Sequence, residues 1–219
     1  MNKLKLLYDV VKTLRDKDVI NGVATVEVKK DQAKIFYAKN QFQKNLVTMQ
    51  TTANITSEID YEGKKMKHQS TTEFTTNQCL CNGMHYKLFR HIHHTGDKCG
   101  GIKAKFTKLA FILSLLNSIK AEEEEDKSTL VTLEVTELPE DIKTIIREKM
   151  SQAESRHSQE ECCFKREFCC IEKGKLSLAM SVDTNYEIDK IVVVFDGVQR
   201  NEENKQHVLD IVAELQFNK

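Results

Sequence analysis

The chain has 219 residues, with Lys plus Arg and Asp plus Glu equal at 33 each, so its formal net charge is zero. That balance excludes a general nucleic-acid binder and an electrostatic membrane binder, both of which carry a basic excess. The length suits one large domain or two small ones with a real core, and Pro139 is the sole proline, so proline-rich linkers are absent.

In chain order, the first element predicted is a helix. Leu4, Leu7, Val11 and Leu14 recur at spacings of three and four, with Val10 beside them and Lys and Asp on the other side. Met1 to Asp16 is charged throughout, which predicts no secretory leader and a cytoplasmic protein. Asn21-Gly22 then reads as punctuation.

A strand meander is predicted over 19–76. Ala24, Val26 and Val28 alternate with Thr25 and Glu27, and Ile35 and Tyr37 are expected on one face of the next segment. Thr51, Ala53, Ile55, Ser57 and Ile59 form the clearest alternation; Met66, His68, Ser70, Thr72 and Phe74 repeat it after a turn at Tyr61-Glu62-Gly63-Lys64. Period-two patterns of this length mark antiparallel strands with one covered face.

Residues 77–101 read as an irregular loop, broken by Gly83, Gly96, Gly100 and Gly101. A helical middle is predicted over 102–155. Ile102, Phe106, Leu109, Leu113 and Leu116 form a stripe that Ala110, Ile112, Leu115 and Ile119 widen. Its apolar run from Leu109 to Leu116 falls far short of the ~20 residues that span a bilayer, so no transmembrane segment is expected. Glu122 to Asp126 reads as a solvated linker, Thr129 to Val135 as a strand, and Pro139 as the start of a further helix. A second meander is predicted over 174–218. It holds Leu176, Leu178, Met180 and Val182, then Ile191, Val193 and Phe195. A polar loop from Asp196-Gly197 to Lys205 comes next, and Leu209, Ile211, Ala213, Leu215 and Phe217 form the closing strand.

The expected fold class is α+β, a single domain over 1–219 in which a curved antiparallel sheet, an open half-barrel, wraps around central helices. This order of elements, with strands such as Ala53-Ile55-Ser57-Ile59 and Leu209-Ile211-Ala213-Leu215, resembles the LolA/LolB carrier family and the related LppX-type lipoproteins. The resemblance implies a half-barrel plugged by helices that binds acyl chains between sheet and plug. The chain departs from the family in its seven internal cysteines. Helix-grip ligand-binding folds follow a similar logic. On this reading Ile55, Ile59, Phe106, Leu113, Val193 and Ile211 are candidates to line a hydrophobic, lipid-like ligand, and equally to fill a core.

Twelve of the fourteen Cys and His residues fall in two segments, 79–99 and 157–170. Thiolates and imidazoles hold borderline metals, zinc above all. Cys79 and Cys81 share a face if extended, as do His91 and His93, and Cys99 follows a Gly-Asp turn. The run Cys162-Cys163-Phe164-Lys165-Arg166-Glu167-Phe168-Cys169-Cys170 mirrors itself about Arg166. As a hairpin it opposes Cys163 to Cys169 and Cys162 to Cys170, with Cβ atoms roughly 4.5–5.5 Å apart. As a helix it holds Cys163 and Cys170 about 10 Å apart, too far for one metal. Buried cysteines also pack as plain hydrophobes. Gly96-Asp97-Lys98-Cys99-Gly100-Gly101 does not end in the Gly-Lys-Ser/Thr of a phosphate loop, and no Cys–His pair is singled out for catalysis, so no enzyme is expected. Two functions follow: a non-enzymatic binder of a hydrophobic molecule, or a zinc-binding protein using the two segments.

Overall fold

The computed structural model describes residues 2–61, 63–75, 115–136, 171–200 and 205–218. Helix α1 (Lys3–Arg15) is followed by nine strands: β1 (Val19–Lys30), β2 (Ala33–Asn45), β3 (Gln50–Tyr61), β4 (Lys64–Thr75), β5 (Lys120–Glu123), β6 (Thr129–Val135), β7 (Ile171–Val182), β8 (Ile188–Arg200) and β9 (Gln206–Phe217). All nine make one sheet in the order β4-β3-β2-β1-β9-β8-β7-β6-β5, and every pairing is antiparallel. The sheet is unclosed: β4 and β5 lie at opposite ends, and residues 76–119 connect one end to the other. The expected antiparallel sheet is therefore present. Helix α1 is present as expected, and of the helical middle expected over 102–155 the described residues include only a helical turn at 115–118.

Helix α1 starts where Asn2 accepts the backbone N–H groups of Leu4 and Lys5 at 3.1 and 3.2 Å, and Lys12 and Arg15 favour its C-terminal end. The side it buries differs from the expected stripe. Leu6 and Val10, one turn apart, are 4% exposed, whereas Leu4 and Val11 are each 63% exposed. The reason is tertiary. Leu6 and Val10 close a cluster with Val131 and Val182, flanked by Ile119, Ala121, Met180 and Ile188, so the β5–β8 part of the sheet selects the helix face.

Two breaks expected in the sequence lie inside strands, and a third is part strand and part turn. Asn21-Gly22 belongs to β1. A Cβ on Gly22 would stand 2.4 Å from the Gln216 carbonyl oxygen, so the glycine permits the close approach of β9 and marks no turn. Asp196-Gly197 belongs to β8, which runs on to Arg200. Gly197 stands opposite Gly174, and a Cβ on either would meet the Phe195 ring within 2.5 Å. The two glycines make the space in which Phe195, 8% exposed, lies on the sheet. Finally, Glu122 to Asp126 is exposed as expected, but its first two residues belong to a strand. Lys120–Glu123 forms β5, and a turn leads into β6, with Glu124 N–H donating to the Ser128 carbonyl at 2.9 Å and Ser128 N–H to Asp126 at 2.9 Å. The hydroxyl and N–H of Ser128 hold the Asp126 carboxyl below its ordinary value.

Ile35 and Tyr37 do not share a face as expected. Val28 pairs with Phe36 and Lys29 with Lys34, so Ile35 is an extra residue in β2. Such a bulge turns two neighbouring side chains to one side. Ile35, 7% exposed, joins Val28 and Leu209 in a second cluster against which Phe36, Val26, Tyr61 and Ile211 pack. The β1–β2 turn itself needs positive φ at Asp31 (49°) and Gln32 (70°), the conformation that suits the twist of a tight hairpin.

Candidate ligand-binding face

Strand pairing aligns the apolar residues of distant segments across the sheet. Val135, Leu176, Phe195, Ile211, Val28, Phe36, Ile59 and Met66 are successive register partners on β6, β7, β8, β9, β1, β2, β3 and β4. Directly paired residues share a face, so these eight form one continuous apolar row. The next row on that face is Leu133, Leu178, Val193, Ala213, Val26, Ala38, Ser57 and His68. The one beyond runs through Val131, Met180, Ile191, Leu215, Ala24, Asn40, Ile55 and Ser70.

Residue size varies along these rows. At the crossing of β9, β1, β2 and β3 the face carries Ala213, Ala24, Val26, Ala38 and Ser57, all half-buried. Bulkier side chains border them: Ile211 and Phe36 on one side, Leu215 and Ile55 on the other. Four adjacent strands spaced about 4.8 Å apart make this patch, a trough only in the sense of its small side chains, about 14 Å long. One polar group lies beside it: Asn40 Oδ1 is shielded from solvent and has no hydrogen-bond partner among the described residues. Toward β4 an open hollow of about 300 Å³ is bordered by Ile35, Phe36, Ile59 and Met66 together with charged residues of the same strands. Those charges are paired. Lys65 lies 2.8 Å from Asp60 and Lys67 2.8 Å from Glu58. Hydrogen bonding to these partners raises both lysines above their ordinary value, and Lys67 lowers Glu58.

The candidates from the sequence divide cleanly. Ile55, Ile59, Val193 and Ile211 all occupy the apolar face, in the three rows just described. Phe106 and Leu113 lie outside the described residues, as do Cys79, Cys81, His91, His93, Cys99, Cys162, Cys163, Cys169 and Cys170. Among the described residues no cluster of three His, Cys, Asp or Glu is arranged to hold a metal, and no helix is long and apolar enough to cross a membrane.

Sequence reasoning passed over the trough and Phe36. The three consecutive residues Ile35-Phe36-Tyr37 break the alternation, and that break was the available signal for a bulge. A second polar contact lies at the start of β9, where His207 stands. His207 Nδ1 lies 2.6 Å from Asp31 Oδ2, while Val208 N–H donates to Asp31 Oδ1 at 3.0 Å and Asp31 N–H to the Val208 carbonyl at 2.9 Å. The β1–β2 turn is thus fastened to the start of β9. The bond to His207, then that from Val208, holds the Asp31 carboxyl below its ordinary value.

No protein-family model matches the chain, and no curated protein matches it in sequence. Among solved structures it is similar to the S-type phycobiliprotein lyase CPES from Guillardia theta, at 5% identity over 97% of each chain with a TM-score of 0.25. It is also similar to a LolA superfamily protein from Nitrosomonas europaea, at 9% identity over 100% of this chain and 92% of the other, with a TM-score of 0.22. TM-scores of this size do not establish a shared fold.

Proposed function

We propose that this chain is a non-enzymatic binding protein that holds a hydrophobic, lipid-like molecule against the apolar face of its sheet. The observation that carries the reading is the trough of small residues at the crossing of β9, β1, β2 and β3, beside an apolar row that runs through eight strands. Burial drives such binding, at about 25 cal/mol for each Å² of apolar surface removed from water. A site of this kind needs few polar groups, and Asn40 Oδ1 supplies an acceptor for a hydroxyl or amide on the ligand. The half-barrel with helices packed inside it, expected from the sequence, belongs to this same proposal.

The test is native mass spectrometry of the purified chain, with displacement of a fluorescent fatty acid as a second readout. Bound apolar molecules are expected in the wild type. Ala38→Trp and Ala213→Trp fill the trough and are expected to remove probe binding while the far-ultraviolet circular dichroism stays β-rich. No co-purified apolar molecule and no probe binding by the wild type at micromolar concentration overturns the reading.

A second reading rests on the clustering of twelve Cys and His residues in segments 79–99 and 157–170, which suits zinc. Tag-free protein purified under reducing conditions should then carry stoichiometric zinc. Metal-free protein that stays so after zinc loading rules it out.

A further inference from the structure

The two ends of the sheet differ in how they meet solvent. β5 is four residues long and leads into an acidic turn, which suits a protected edge. β4 is twelve residues long, and among the described residues it pairs on one side only, with β3. All of its residues except Ser70 are exposed, including Met66 at 42% and Phe74 at 49%. A long edge strand with exposed apolar side chains is a template for another strand.

We infer that the outer edge of β4 pairs with β4 of a second copy of this chain, antiparallel, about a two-fold axis at Ser70. The argument is charge and shape complementarity within the strand itself. A two-fold axis pairs residue with residue symmetrically, and an antiparallel ladder needs the axis to pass through a residue so that each side chain meets one on its own face. With the axis at Ser70, Lys67 stands opposite Glu73 and Met66 opposite Phe74, each pair occurring twice. The ion pairs fall on one face and the apolar pairs on the other, the face that bears the apolar rows. Moving the axis to Gln69 sets Met66 against Thr72 and Lys67 against Thr71; moving it to Thr71 sets Phe74 against His68 and Glu73 against Gln69. Neither makes both matches. Within the chain Lys67 already contacts Glu58, and Glu73 accepts from Gln50, so each arrives at the edge held in place. The product is a continuous sheet through two chains, with the short acidic β5 edges outermost.

The test is sedimentation velocity of the full chain across about 10–500 µM, the range in which an interface this small associates. The wild type is expected to dimerise. Lys67→Glu and Glu73→Lys each set like charges together twice, and each should weaken dimerisation about ten-fold or more. A mixture of the two variants restores both opposite-charge pairs across one interface, so it should dimerise more tightly than either alone. Ser70→Cys places two thiols at the axis, and mild oxidation should join them in an intermolecular disulfide at that position, identified by peptide mapping. This variant keeps the Lys67–Glu58 contact and decides the matter if either charge variant fails to fold. A wild type that stays monomeric overturns the inference. So does a mixture that associates no better than its components, or a dimer of the Ser70→Cys variant that forms no such cross-link.

Discussion

Among the described residues, the two halves of the sheet build their buried clusters by different means. In the β5–β8 half a helix does it: Leu6 and Val10 of α1 rest on Val131 and Val182, the latter 0% exposed. In the half built from β1, β2, β3 and β9 the sheet contributes its own cover. The bulge at Ile35 turns an extra apolar side chain toward Val28 and Leu209, and Phe36 and Tyr61 pack around them. Register shifts occur in both halves, in β2 at Ile35 and in β7 near Lys173 and Val182, and the one at Ile35 bends its strand beside the β1–β2 turn. The Asp31 bonds to His207 and Val208 hold that turn. One irregularity thus accounts for both the second core cluster and the hollow beside it.

The sharpest test of this difference compares two leucines. Leu209→Ala and Leu6→Ala each empty a buried site, and the loss is expected at about 2–5 kcal/mol by denaturant titration. Their consequences should differ in extent. Leu209 is on β9, which joins the two halves, so its loss should raise amide exchange throughout the sheet. Leu6→Ala should raise exchange mainly in α1, β5 and β6. Identical exchange patterns for the two variants would erase the distinction between the halves. Gly197→Ala comes next, at about 1–3 kcal/mol, because its Cβ would strike the Phe195 ring. Pairing it with Phe195→Leu should recover part of the loss; a purely additive double variant contradicts the proposed contact.

Smaller effects are expected at the turn and on the outer side of α1. The lowered Asp31 pKa means that the folded state favours the ionised carboxylate. Its contribution is therefore present above the unfolded value and is lost as pH falls through the lower folded value, in the region below the ordinary 3.8. Asp31 is 52% exposed, so solvent screening limits the effect to about 0.2–1 kcal/mol. Asp31→Asn should remove that amount at neutral pH and flatten the acid limb of the stability curve; an unchanged limb would show that the turn is fastened otherwise. Smallest of all, Leu4→Ser and Val11→Ser on the exposed side of α1 should change stability by no more than about 0.5 kcal/mol. A loss near that of Leu6→Ala would mean that the helix buries both sides.

Much of the sheet was legible because alternation is local. The run Ala53-Ile55-Ser57-Ile59 shows its two faces in any register, and the turn at Gly63 (φ 76°) shows itself by residue type. Gly22 and Gly197 misled because a glycine that admits a neighbouring backbone or ring looks, in sequence, like a glycine that turns the chain. The Cys and His segments and the stretch holding Phe106 and Leu113 lie outside the described residues, so the zinc site and the central helical stripe remain readings of the sequence.

By itself, then, the sequence determined the period of strands such as β3, β7 and β9, the helical nature of α1 and the apolar character of Ile55, Ile59, Val193 and Ile211. Each is set by spacings of two, three or four residues along the chain. The tertiary structure decided which side of α1 is buried, that Ile35 bulges, that β1 pairs with β9, and that the four residues share one face. These depend on register between strands far apart in the chain, and register is fixed by the packing of the assembled sheet, not by any one segment's pattern.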